Sequence, residues 1–461
     1  SMEYISTRNN KKAFSFKDVF LRGLAPDGGL FIPKKLPFFS KNKLNKLKKL
    51  SYNSLAEKII FEFCSDEFNK KEIKKLINFS YKKFRVKDVV NIKKVGDLNL
   101  LELFHGPTLA FKDIAMQVIG NMYEKILKKN NEKINIIVAT SGDTGAAAIE
   151  AIKNRNKIKI FVLHPHKKIS KVQRKFMTTV NSKNVFNISV LGSFDDCQKL
   201  VKSMFADKSF SRKINMSGVN SINWSRIIFQ TVYYFYSYFK IAKGMEKINF
   251  SVPTGNFGDI YAGYLAKKMG LPINKLLIAT NKNDILKRVV KTGIYKPLQV
   301  RYTISPSMDI QVASNFERLI FDLCSCSSRK TSKYMSNLQT KGKFKIKKNE
   351  LAIIRKNFLS ESLTEKETRK VIHKVYKNYK ILIDPHTAVA VGVMDKLFIK
   401  GKTLILSTAH PAKFSDTVMR ETRIKPQLPK NLNNILLKKE KFKKLPKNIK
   451  NIKEYILKNI V

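Results

Sequence analysis

Cysteine is scarce in this chain: Cys64, Cys197, Cys324 and Cys326 are all there is in 461 residues. No spacing among them makes a zinc site, and Cys324-x-Cys326 alone is a weak signal. Neither a structural metal nor a disulfide framework is expected, and the usage suits a reducing compartment, the cytoplasm. No apolar run reaches the roughly 18 residues that a membrane span needs. The N-terminus carries Glu3 and Asp18 and lacks an apolar core, so no signal peptide is expected. A G-x-G-x-x-G fingerprint is absent. Gly401-Lys402-Thr403 mimics the end of a phosphate loop, but Lys396 stands where its first glycine belongs. A dinucleotide fingerprint and a nucleotide P-loop are both excluded.

Acidic residues are also few, 35 against 90 Lys and Arg, which leaves a formal charge of +55. Such a charge suits either a nucleic-acid surface or a field that attracts anionic substrates. The lysines are spread over the whole length and no RNA- or DNA-binding module is present, so compositional drift explains the charge better than a dedicated nucleic-acid patch. Salt-dependent binding to any DNA is expected of a protein this basic, and only a sequence or structure preference speaks for a dedicated role.

What is present is an ordinary globular composition, 43% hydrophobic and 10% aromatic, in a chain long enough for about three domains. Residues 1–90 read as mainly helix and loop, with a turn at Pro26-Asp27-Gly28-Gly29, a short apolar run Leu30-Phe31-Ile32, and helical spacing over 41–85. From about residue 98 strands alternate with helices: strands over 98–104, 134–140, 159–164, 185–191, 248–253, 276–280 and 403–407, and helices over 109–128, 144–154, 170–180, 195–206 and 259–269. This alternation predicts an α/β fold of parallel or mixed sheets covered by helices, with ligands at the carboxyl ends of strands. The lysine-rich stretch 327–349 reads as a surface insertion or mobile loop. Residues 426–461 read as a basic tail with weak helical patterns.

Four polar segments follow strands where such a fold binds ligands. His105-Gly106-Pro107-Thr108-Leu109-Ala110-Phe111-Lys112-Asp113 leads into a helix and puts Lys112 in its first turn. A cation there opposes the helix dipole. In a desolvated pocket its pKa falls toward neutrality, as an amine that attacks an aldehyde requires. Taken singly, Lys112 is one more solvated lysine, and only the surrounding motif sets it apart. Ser141-Gly142-Asp143-Thr144 opens a helix with N–H groups and hydroxyls suited to a carboxylate or phosphate, or else forms an ordinary N-cap. Thr254-Gly255-Asn256-Phe257-Gly258-Asp259 is a backbone cradle for phosphate or a tight strand-to-helix turn. Ser407-Thr408-Ala409-His410-Pro411-Ala412-Lys413-Phe414 offers a hydroxyl to a neutral ring nitrogen and Lys413 to an anion, while His410 reads as a structural histidine rather than a catalytic base.

In this order and spacing the four segments resemble threonine synthases, in the subgroup with a long N-terminal segment. The match runs from Pro26-Asp27-Gly28-Gly29 to Lys413-Phe414, and the segments 220–224 and 384–388 look like the family as well. The resemblance implies a two-lobed fold type II pyridoxal-phosphate enzyme: an N-terminal domain over 1–90, a catalytic region over 91–425 and the tail. It implies that Lys112 forms the Schiff base with pyridoxal 5'-phosphate and acts as catalytic base. It further implies that Gly255, Asn256, Phe257, Gly258 and Asp259 hold the cofactor phosphate, and that Thr408 faces the pyridine nitrogen. Ser141, Gly142, Asp143 and Thr144 hold the substrate's amino-acid end. Lys413 is the first candidate for the substrate phosphate, ahead of Arg174 and Lys171. The reaction implied is O-phosphohomoserine plus water to threonine plus phosphate. A related dehydratase or phospholyase and, in another class, a basic nucleic-acid-binding protein are the alternatives.

Overall fold

The computed structural model describes residues 2–460. Its larger sheet has six strands in the order Phe358–Ser362, Ile273–Thr280, Ile248–Pro253, Thr403–Ser407, Leu98–Glu102 and Asn91–Val95. All neighbours run parallel except the last pair. A second sheet has five strands, Lys443–Pro446, Val185–Leu191, Ile158–Pro165, Ile134–Ala139 and Met216–Ser217, all parallel. The apolar strands are buried on both faces, as parallel strands under helices must be. These two sheets are the two lobes, and the α/β class predicted from strand–helix alternation is the class observed.

Residues 2–81 add an antiparallel sheet of Asn9–Phe14, Tyr4–Ser6 and Phe31–Pro33, followed by helices Lys41–Leu47, Tyr52–Cys64 and Lys70–Tyr81. The helices start where the sequence caps them: Ser40, Ser51 and Asn69 each accept a hydrogen bond from a first-turn N–H. The small sheet went unpredicted because its strands are three to six residues long, too short for a period-two pattern to register.

One element dominates the interior. The helix Trp224–Ile241 has every residue buried except Lys240, the pattern of a helix surrounded by core on all sides. Two sequence readings are corrected. The stretch 327–349, expected to be a surface insertion or mobile loop, is no loop but folds as the helix Ser328–Lys341, capped by Ser327, and a strand pair between Phe344–Lys345 and Ile294–Tyr295. Tyr334 is buried against Glu350 and Phe344, which anchors this lysine-rich helix to the core. The basic tail contributes a strand to the second sheet, Lys443 through Pro446 alongside Ile188 through Leu191, and a helix, Ile449–Asn459, whose Ile452 and Ile456 are fully buried. No helix among the described residues is long and apolar enough to cross a membrane.

Candidate active site

Three neighbouring strands of the large sheet, Ile248–Pro253, Thr403–Ser407 and Leu98–Glu102, end on the same side. Their loops bring the cradle, Thr408 and Lys112 together although about 300 residues separate the first and last of these groups. Two backbone hydrogen bonds join the Lys112 loop to the Thr408 loop, Phe111 N–H to Thr408 O and His410 N–H to Leu109 O, both at 2.9 Å, and together they form the antiparallel Ala110–Ala409 bridge. Asp113 braces the loop from within, accepting from the Thr108 N–H at 2.8 Å and hydroxyl at 2.7 Å.

Lys112 is the first residue of the helix Lys112–Asn130 and is buried. Its Nζ stands 4.0 Å from Asp143 Oδ2 and 4.9 Å from the centre of the Phe111 ring. Burial pushes its pKa down to about 8. The carboxylates of Asp143 and Asp259 oppose this fall, and the cations Arg226 and Lys413 add to it. The amine is therefore substantially neutral under mildly basic conditions, as the sequence argument required.

The cradle is open to an anion. Among the described residues no acceptor meets the backbone N–H of Gly255, Asn256, Phe257 or Asp259, and Gly258 N–H bonds only the Asn256 side chain at 2.9 Å. Phe257 holds the left-handed conformation at φ 73°, uncommon for a bulky residue. A Cβ on Gly255 would lie 2.6 Å from the Ser307 carbonyl oxygen, so only glycine fits. Gly255→Ala is expected to weaken cofactor binding about 10–100-fold, through an overpacking cost of ~1–3 kcal/mol, measured by titrating apo-protein with pyridoxal phosphate.

Asp259 belongs to this loop through its backbone. Its carboxylate turns to Tyr233 and Tyr234, whose hydroxyls donate to it, and burial raises its pKa to about 6. Thr408 lines the same cleft.

The sequence reading placed Ser141, Gly142, Asp143 and Thr144 together, but of these four Asp143 alone lines the cleft. Its carboxylate lies between two ammonium groups, Lys413 Nζ at 2.7 Å and Lys112 Nζ at 4.0 Å, and accepts from Gln173 Nε2 at 3.1 Å. Burial by itself would raise its pKa. Lys413 and Lys112 overcome that and hold it well below the usual carboxylate range. Gly142 sits at φ 132°, a conformation that admits no ordinary side chain.

Lys413, read from the sequence as the first candidate for the substrate's phosphate, lies behind Asp143 in the structure. Its side chain is fully buried and its ammonium is taken up by Asp143 and by the Thr108 carbonyl at 2.9 Å. Arg174 is likewise committed, forming a two-point ion pair with Glu440. His410 is structural: its Nδ1 accepts the Ala412 N–H, and burial lowers its pKa to about 4, which keeps it neutral.

Sequence reasoning gave no role to the cleft residues Arg226, Gln230, Ser307 and His386, although His386 lies in the family-like segment 384–388. Arg226 is almost fully buried, donates through Nη1 to Val219 O at 3.0 Å, and leaves Nε without a partner. An Arg two residues after the sole Trp, inside an otherwise apolar run, was the available signal. His386 accepts the Ser307 N–H at Nε2 (3.1 Å) and donates from Nδ1 to Asp384 (2.7 Å), which seats the Ser307 turn over Gly255. The short Ser307 turn carries no sequence pattern of its own.

An amine of lowered pKa, a nest of unbonded amides and a free hydroxyl in one cleft match the aldehyde, phosphate and ring nitrogen of pyridoxal phosphate. A family model described as pyridoxal-phosphate dependent enzyme matches residues 95–408. Models of the threonine synthase N terminus and C-terminal region match 3–81 and 387–456. The threonine synthase of Pseudomonas aeruginosa is 40% identical, covering 99% of this chain and 98% of that protein. That of Saccharomyces cerevisiae is 44% identical over 91% of this chain and 88% of its own length. The crystal structure of pyridoxal-phosphate-bound threonine synthase from Brucella melitensis superposes with a TM-score of 0.93 at 42% identity, covering 100% of this chain and 99% of that one. With the cleft geometry and three consecutive domain matches in agreement, the chain belongs to the threonine synthase family of pyridoxal-phosphate-dependent enzymes.

Proposed function

We propose that this protein converts O-phosphohomoserine and water into threonine and phosphate, with Lys112 carrying the cofactor and moving the protons. Bound pyridoxal phosphate supplies an electron sink for negative charge developing on the substrate carbons. When not joined to the cofactor, the Lys112 amine is a base whose pKa burial lowers to about 8. It takes the proton from Cα, removes one from Cβ and returns protons as phosphate leaves Cγ and water adds at Cβ. Asp143 steadies the ammonium form at each transfer from 4.0 Å. The amides of Gly255, Asn256, Phe257 and Asp259, which have no protein acceptor among the described residues, would hold the cofactor phosphate. The Thr408 hydroxyl, which lines the same cleft, would face the ring nitrogen as an uncharged partner.

The observation that carries the substrate assignment is Arg226. A desolvated guanidinium with an unpartnered Nε, in the same cleft as Lys112, is suited to a phosphate that binds and leaves. It replaces Lys413 as the group for the substrate phosphate. The four free cysteines, three of them buried, fit a reducing compartment such as the cytoplasm.

The test is phosphate release from O-phosphohomoserine by the purified holoenzyme, with ammonia and oxoacid measured in parallel. Threonine and phosphate in equal amounts are expected. Ammonia and oxoacid instead would identify a dehydratase. Arg226→Gln is expected to lower kcat/KM about 10–100-fold, a charged hydrogen bond contributing ~1.5–3 kcal/mol, while the cofactor absorbance stays unchanged.

A further inference from the structure

Apart from the Lys112 cleft, the protein holds a chamber of about 1120 Å³ where the N-terminal region meets the second lobe and the 312–317 segment. Six cations line it, Arg8, Lys12, Arg22, Lys202, Lys208 and Arg212, against two carboxylates, Asp27 and Glu317. Glu317 is spent on Arg8, whose Nη2 lies 2.9 Å from it. Asp27 is occupied by the Ser6 hydroxyl and the Gly29 N–H, both at 2.8 Å. Asp27 and Glu317 act on Arg8, and Glu317 and Asp195 on Lys202, yet six cations against two lining carboxylates leave the chamber with an excess of positive charge.

A narrow neck adjoins the chamber and shares Leu24, Lys202, Phe205, Ile222 and Ser314 with it. The neck contains no carboxylate, and it reaches Ser221, which also lines the Lys112 cleft. It passes Ala139, at the carboxyl end of the strand that leads into the Asp143 loop. Shared lining residues link the three in series, with Lys202 among those common to chamber and neck and Ser221 common to neck and cleft. The neck holds about 40 Å³, so a substrate passes only when it widens.

We propose that this series is the access route for substrate, the chamber acting as an electrostatic funnel that draws a phosphate-bearing amino acid through the Leu24 neck to Arg226 and Lys112. A cleft lined by one sign of charge within low-dielectric walls raises the local concentration of the opposite ion and its on-rate. The inference rests on the substrate class proposed above and adds the path by which it arrives. It also gives part of the +55 charge a function.

Stopped-flow absorbance of the holoenzyme tests it with three probes: O-phosphohomoserine, O-phosphoserine as a second phosphorylated amino acid, and hydroxylamine as a neutral reagent that bleaches the lysine-linked cofactor. The Arg22→Gln/Arg212→Gln double variant is expected to slow both phosphorylated probes about 5–10-fold at ~0.01 M salt, to flatten their salt dependence, and to leave hydroxylamine and kcat unchanged. Leu24→Trp, which narrows the neck, is expected to slow all three probes. Unaltered rates and salt slopes for the phosphorylated probes in the double variant would overturn the funnel. An unaltered hydroxylamine rate in Leu24→Trp would overturn the route. If O-phosphohomoserine yields no phosphate while O-phosphoserine and hydroxylamine respond as described, the substrate reading fails and the route stands.

Discussion

Lys112→Ala is expected to remove the near-visible absorbance of the lysine-linked cofactor and to lower phosphate release by a factor of about 10³ or more. The factor follows from losing covalent attachment and the proton carrier together, proton transfer by a positioned group alone being worth ~10²–10⁴. A variant that kept the band would assign the linkage to another lysine. The same amine sets a pH signature. Attack on the cofactor aldehyde needs the neutral amine, and a lowered pKa means that the neutral fraction grows as pH rises through about 8. The rate at which apo-protein captures pyridoxal phosphate is therefore expected to rise with pH and reach half its maximum near pH 8. A surface lysine would place that midpoint near ~10.4. Mixing apo-protein with cofactor across pH 6–10 distinguishes the two.

The second large effect is on stability. Asp143→Ala leaves the Lys413 ammonium, 0% exposed, without its counter-ion. Breaking a buried pair by removing one partner costs about 3–5 kcal/mol, because the remaining charge is uncompensated. The urea midpoint of the variant is expected to fall accordingly, and Asp143→Ala combined with Lys413→Met to recover most of the loss. Little recovery would mean that Asp143 acts through Gln173 and the helix start, not through charge. The pH dependence has a definite sign. A carboxyl held below its unfolded value stabilises the fold at all pH above the ordinary carboxylate range, and that contribution is lost only as pH falls below it. Removing Asp143 also withdraws the nearest carboxylate from Lys112, so the midpoint for cofactor capture shifts to lower pH.

The strand–loop–helix units that carry the site were legible in the sequence because each rests on local physics. The strands 248–253, 185–191 and 403–407 run as predicted, since short apolar runs ending in glycine and hydroxyl residues have few other folds available. Lys112 at the start of its helix, the Gly255 cradle and Thr408 at a strand end follow from the same patterns. The helix 328–341 was misread because charge pattern alone does not reveal that Tyr334 finds a buried acceptor in Glu350. Arg226 went unnoticed because what marks it is a buried Nε without a partner, a property of surroundings and not of sequence.

By itself, then, the amino-acid sequence determined the α/β class, the order of the four motifs and the chemistry each side chain brings. Tertiary structure alone decided which strands are neighbours, since any apolar parallel strand reads alike wherever it sits in a sheet. Placing Thr403–Ser407 between Ile248–Pro253 and Leu98–Glu102 is what sets Thr408 and the cradle beside Lys112. The same packing decided that Lys413 pairs with Asp143. Both are long-range electrostatic and packing outcomes, fixed by which groups are desolvated together, and no local pattern encodes them.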